Sequence, residues 1–255
     1  MLNLVGLFGL VAFVVASLVV GCRILLLALR TRGLPETLIG ASLVLAGGFG
    51  TGGSVLPLLW TTLEPSAAHV IFQIASVANH VGYTLLFIFV WRVFRTGTHW
   101  ATALFVATTV ALAAGGIGLG LTLELGESIS RPEGPARSWL LVSLAARFTG
   151  YAWASIESFR YASMLRRRAR IGLGDPATAR RFFYWGVCTT AVVLIWVNLA
   201  AEQLVPSISE NPALTHVISA LLGFIVAGSL SAAFFPRGST TPNPATTTVG
   251  SEPCA

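Results

Sequence analysis

Hydrophobic and polar positions along this chain sort into seven apolar runs separated by short polar stretches. A helix needs about twenty apolar residues to cross the ~30 Å hydrocarbon layer of a bilayer. The runs at about 3–29, 36–60, 67–93, 99–123, 138–164, 182–203 and 213–235 all reach that length. Lipid offers the backbone no hydrogen-bond partner, so runs of this kind are predicted to be helices. The longest connections are ELGESISRPEGPAR (124–137) and RRRARIGLGDPATARR (166–181), and no internal repeat stands out. The tail RGSTTPNPATTTVGSEPCA has little to bury and is predicted to be disordered. The pattern therefore predicts an all-α integral membrane protein, a single seven-transmembrane-helix bundle over 1–236 followed by a tail at 237–255.

Composition agrees with that class. Of 255 residues, 55% are hydrophobic and only 10% charged, too few charges to cover a water-soluble domain of this size. All sixteen basic residues are arginines. Without a lysine, no side chain can form a Schiff base with retinal or pyridoxal phosphate, and no cofactor is expected. The net charge of +6 sits on loop flanks rather than on a folded basic face, which argues for membrane topology and against nucleic acid. Thirteen arginines, among them Arg30, Arg32, Arg92, Arg95 and Arg166, fall at one set of helix ends. Arg131 and Arg137 fall at the other, and Arg147 lies inside a span. By the positive-inside rule the N-terminus is outside and the C-terminus cytoplasmic, in a multi-pass protein of the plasma (inner) membrane. Cys22, Cys188 and Cys254 suggest neither a disulfide framework nor a metal site. LVVGC (18–22) resembles a lipoprotein cleavage box, but no basic segment precedes it and RILLLALR continues the apolar run, so a retained first helix is expected.

Glycine is concentrated in GASLVLAGGFGTGGSVLP of the second span and AAGGIGLGL of the fourth. Small residues let membrane helices approach closely, which is the plain reading; a broken helix with Pro57 near its outer end is the alternative. Neither cluster is a phosphate loop, since no lysine follows.

Polar residues form stripes at helical spacing. The fifth span aligns Ser143, Arg147, Gly150, Ala154, Glu157 and Tyr161. The third aligns His69, Gln73, Ser76, His80, Tyr83 and Thr84. The sixth carries Tyr184, Cys188, Asn198 and Glu202, and the seventh His216, Ser219 and Gly223. A charge facing lipid at mid-bilayer costs about 2.5–3.5 kcal/mol even on the lenient insertion scale, so the stripes are expected to face the bundle interior. Near the inner leaflet, Glu157, Arg160 and Tyr161 form a candidate ion-pair cluster, structural or acting as a lock between helices. Arg147 lies about 15 Å from Glu157 along the same helix and needs a partner elsewhere. Glu202, with Asn198, is the favoured one; the alternative is a pocket in which Arg147 binds an anionic small molecule or lipid head group. Candidate ligand-binding residues are thus Arg147, Glu202, Asn198, His69, Gln73, His80 and His216. His69, His216 and Glu202 raise the question of a metal, but no paired histidines share one helix face.

Seven spans with the N-terminus outside resemble the topology of G-protein-coupled receptors and microbial rhodopsins. The last span, THVISALLGFIVAGSLSAAF, lacks the rhodopsin lysine, and the third ends FVWRVFR rather than in a receptor DRY sequence, so no residue role is carried over. The paired histidines of ceramidase-type membrane hydrolases are missing too. The expected function is a non-enzymatic seven-helix protein with an outward-facing polar pocket, receptor- or sensor-like, or a ligand-binding membrane subunit; a small transporter or channel subunit is the alternative. Its partners would be the lipid bilayer, an anionic molecule, and a cytoplasmic protein at loop 165–181.

Overall fold

The structure, a computed structural model, describes residues 4–60, 62–123, 132–205, 208 and 212–235. Tail residues 237–255 and most of the 124–137 connection, whose properties the sequence anticipates, lie outside the described residues.

Seven long helices follow one another: α1 (Leu4–Thr31), α2 (34–59), α3 (Pro65–Phe94), α4 (His99–Thr122), α5 (Gly134–Arg170), α6 (Pro176–Leu204) and α7 (Pro212–Phe234). No strand occurs among the described residues. Proline marks the starts: Pro65, Pro176 and Pro212 open their helices, and Pro35 and Pro135 sit in first turns. There the missing N–H is no loss, because the first helical amides have no intrahelical acceptor. Asp175 caps α6, accepting from the amides of Ala177 and Thr178 at 2.9 and 3.1 Å.

Among the described residues, six of the seven helices are long and apolar enough to cross a membrane. The exception is α5, in which the sequence pattern also predicts a span. Its 37 residues extend roughly 55 Å at about 1.5 Å each, well beyond the hydrocarbon layer. Polar and charged residues along that length, Arg147, Glu157 and Arg160 among them, remove its net apolar character. Even so, α5 is held between apolar neighbours, packed along α4 on one side and α6 on the other.

The helices close into a ring. Each packs on its chain neighbours, α7 returns to α1, and α3 also reaches across to α5. One end of the ring holds the first residues of α1, α3, α5 and α7 with the last of α2, α4 and α6; the other holds turns 31–33, 95–98 and 171–175 and the arginine clusters.

The second helix is continuous rather than broken. Residues Leu34–Ser42 are α-helical, Leu43–Gly50 form a π-helical segment, and Thr51–Leu59 resume the α-helix with Pro57 inside it. Such wider turns are rare and mostly confined to a single turn within an α-helix. Here close flanking contacts hold the segment in place: a methyl added at Gly47 would lie 2.5 Å from the Ser17 hydroxyl, and one at Gly50 2.7 Å from the Asn79 amide carbon. The glycines thus serve close helix approach, with α1 and α3 pressed against the backbone of α2.

Toward the arginine-rich end the interior is sealed. Phe87, Val90 and Leu230 are 0% exposed, and Trp153 and Trp185 are buried with them. Gly150 makes room for Phe87, since any side chain there would run into that ring.

Candidate functional site

Above the Phe87 layer, toward the opposite end, the stripe on α3 becomes a chain of polar contacts. Gln73 Nε2 lies 3.3 Å from His69 Nε2 and donates to the Gly120 carbonyl of α4 at 3.3 Å. Two turns further on, His80 Nδ1 is 2.6 Å from the Ser76 carbonyl, and its Nε2 faces α5, 3.3 Å from the Ser143 hydroxyl and 3.5 Å from Arg147 Nη2. Glycine on α4 makes this approach possible, because a methyl at Gly116 would sit 2.6 Å from His80 Nε2.

These contacts define the state of His80. A carbonyl only accepts, so Nδ1 carries the hydrogen; a guanidinium only donates, so Nε2 is bare. His80 is therefore the neutral Nδ1–H tautomer, accepting on Nε2 from Arg147 and from Ser143.

Arg147 lies against aromatic rings. Its guanidinium carbon is 4.9 Å from the centre of the Tyr83 ring and 5.2 Å from that of Trp196. Tyr83 in turn meets Tyr151 and Trp196 edge to face at 5.8 and 5.9 Å. Cation–π contact of this kind contributes about 0.5–2 kcal/mol per ring, more as water is excluded. It does not neutralise the charge. The ring places Tyr83, His80, Ser143, Arg147, Tyr151 and Trp196 together, drawn from α3, α5 and α6. Within this group two donors are closed off and have no acceptor: Nε of Arg147 and Nε1 of Trp196. Among the described residues no carboxylate pairs with Arg147.

The partnership of Arg147 with Glu202 and Asn198 favoured by the sequence is thus replaced by one with His80, Tyr83 and Trp196. Asn198 points the other way, donating at 2.9 Å to both the Thr215 carbonyl and the Ser219 hydroxyl, and so ties α6 to α7. Glu202 is half-buried with contacts of its own, and His216 is half-buried beside Thr215 on α7. His69 stays with Gln73, and no group of three His, Cys, Asp or Glu side chains among the described residues suits a metal ion.

The inner cluster is rearranged as well. Glu157 is buried and pairs at 2.7 Å with Arg95 Nε, at the C-terminal end of α3, whereas Arg160, the i+3 neighbour, is exposed. Arg95 also lies over Trp100, 5.5 Å from its ring centre. Tyr161 packs edge-on against Phe182 at 4.6 Å and Phe94 at 5.7 Å. An intrahelical ion pair gives way to one that joins two helices.

Sequence reasoning missed Tyr151 and Trp196. Tyr151 is readable in principle, four residues after Arg147 on the same helix face. Trp196 is not, since a stripe of hydrophilic residues passes over a ring with one polar atom. Comparison with protein families, curated proteins and solved structures gives no match to this chain.

Proposed function

We propose that the chain is a non-enzymatic seven-helix membrane protein of receptor or sensor type that binds an anionic ligand at Arg147. One observation carries the reading. A guanidinium inside the helix ring, with its Nε closed off and no hydrogen-bond acceptor there, has no carboxylate partner among the described residues. Guanidinium geometry matches carboxylates and phosphates, and an unpaired charge in such surroundings is costly until an anion joins it. Trp196 supplies a further unpartnered donor in the same group.

The orientation in this proposal follows the positive-inside rule, with the arginine-rich end cytoplasmic and the Arg147 level nearer the outside of the plasma (inner) membrane. A signal would leave at loop 165–181, where Ile171 and Leu173 are exposed among the arginines, to a cytoplasmic partner.

The decisive measurement is native mass spectrometry of protein released from mild detergent, repeated on Arg147→Gln. The expected result is a stoichiometric anionic adduct on the wild-type protein that is lost in a variant of unchanged melting behaviour. An adduct retained in Arg147→Gln, or none in the presence of added carboxylates and phosphate, overturns the proposal.

Transport is the second reading, and the polar ladder from His69 to His80 favours it. It would require the sealed Phe87–Val90–Leu230 layer to part, and flux of the bound anion into proteoliposomes would establish it.

A further inference from the structure

We infer that the turn joining α5 to α6 is a preformed docking tip for an acidic segment of a partner protein, with Ile171 and Leu173 as its apolar anchors. This inference rests on the reading of loop 165–181 as the place where a partner docks and names that partner's chemistry. It does not depend on what binds at Arg147.

Height comes first. Phe94, the last residue of α3, packs edge-on against Tyr161 of α5 and Phe182 of α6, at 5.7 and 6.0 Å. Phe234, the last residue of α7, meets Trp185 of α6 at 6.1 Å. Trp91 and Trp100 flank the turn between α3 and α4, and Trp100 is exposed, the placing that tryptophan favours at a membrane boundary. Beyond that level α5 runs on from Tyr161 to Arg170, about 14 Å at ~1.5 Å per residue, and α6 begins at Pro176, about 9 Å before Phe182. A headgroup layer is only about 5–7 Å deep. The tip thus stands clear of the lipid, and Ile171 and Leu173, 70% and 74% exposed, meet water rather than hydrocarbon.

Shape and charge come second. The Leu173 amide donates to the Arg168 carbonyl at 2.9 Å and the Gly172 amide to the Ala169 carbonyl at 3.2 Å, with Gly172 at φ 75°. Those paired bonds around a left-handed glycine close a helix in a fixed form, and the residue at Leu173's place usually packs on an apolar side chain one turn back. Here the positions one turn back hold Arg167 and Arg168, so Leu173 stays turned outward. Both arms of the hairpin are held as well, since Arg166 lies over the Phe183 ring, 4.6 Å from its centre. Arg166, Arg167, Arg168, Arg170, Arg180 and Arg181 are all exposed around this tip. The one acidic residue among 166–181 is Asp175, whose carboxylate is taken by the amides of Ala177 and Thr178 and by the Thr178 hydroxyl. An apolar knob ringed by positive charge is complementary to an acidic surface carrying an apolar notch, and repels a basic one.

The test is photo-crosslinking of the full-length protein in the cells that make it, with benzoylphenylalanine in place of Leu173 and, in a second sample, of Ile171. Mass spectrometry then reads the composition of the attached peptide. The expected result is an adduct with a soluble protein through a peptide of net negative charge. Arg167→Gln together with Arg170→Gln should cut its yield roughly twofold to thirtyfold, the worth of two exposed ion pairs, at unchanged expression and melting temperature. A neutral or basic attached peptide, or a yield that the double substitution leaves unchanged, overturns the acidic partner and leaves the docking reading standing. Adducts with lipid or with a second copy of this chain alone, or no adduct at either position, overturn the inference and the docking reading together. The two labelled positions are exposed, so a protein that fails to fold with one label is read with the other.

Discussion

Two charged layers in one bundle are handled in opposite ways. At the arginine-rich end, Glu157 is buried but joined at 2.7 Å to Arg95, whose side chain is 25% exposed. That charge is balanced within the protein, and the pair ties α3 to α5. About three turns along α5, Arg147 has two aromatic rings and a neutral imidazole but no carboxylate among the described residues. Beneath it the Phe87 layer is closed. The difference teaches that the same fold balances one buried charge with an ion pair and surrounds the other with aromatic rings and a neutral imidazole.

The sharpest way to break this comparison is to remove one arginine from each layer. Arg95→Ala strands a buried carboxylate and should cost about 3–5 kcal/mol in unfolding free energy, measured in mixed detergent micelles. A loss below 1 kcal/mol would show that Glu157 does not depend on its pair. Next in size, Gly150→Ala forces a methyl into the Phe87 ring and should cost about 1–3 kcal/mol in the same assay, testing how tightly the layer below Arg147 is sealed. Arg147→Met should do less. It forfeits two ring contacts of about 0.5–2 kcal/mol each, but it also removes a charge whose desolvation costs several kcal/mol. Stability should therefore hold or rise while anion binding disappears, and a collapse matching that of Arg95→Ala would mean that Arg147 has a protein counter-charge.

The smallest effect belongs outside the membrane. The Thr178 hydroxyl, followed by the Ala177 amide, holds the Asp175 carboxyl below its ordinary range. Its stabilisation is then present above the unfolded-chain value and lost as pH falls through the lowered folded-state value. Asp175→Ala should lower the melting temperature slightly at neutral pH, and the gap to wild type should close on acidification. A gap that is independent of pH would remove the ionised cap from the account.

Particular residues show how far the sequence could be read. The period of α3 places His80 and Tyr83 on one face, and that of α5 places Ser143 and Arg147 on one face; both faces do point into the ring. Spacing along one helix reveals only intrahelical neighbours, so it pairs Glu157 with Arg160. Arg95, counted as a loop flank, is the actual partner. Counting residues gives height in the membrane but not rotation about the helix, so it offers Glu202 to Arg147. Asn198 and Trp196, two residues apart, differ by about 200° at 3.6 residues per turn. One turns to α7 and the other to Arg147.

Hydropathy and length by themselves determine that this is a multi-span helical chain, because lipid forces each span to satisfy its own backbone. The spacing of polar residues determines which face of each helix turns inward, because a charge facing hydrocarbon is costly. Only the tertiary structure decides which charges meet, through the order of helices in the ring, their rotations, and the close approaches that Gly116 and Gly150 permit. Those relations span dozens of residues along the chain and are set by packing. That is why, among the described residues, Glu157 has an ion-pair partner and Arg147 has none.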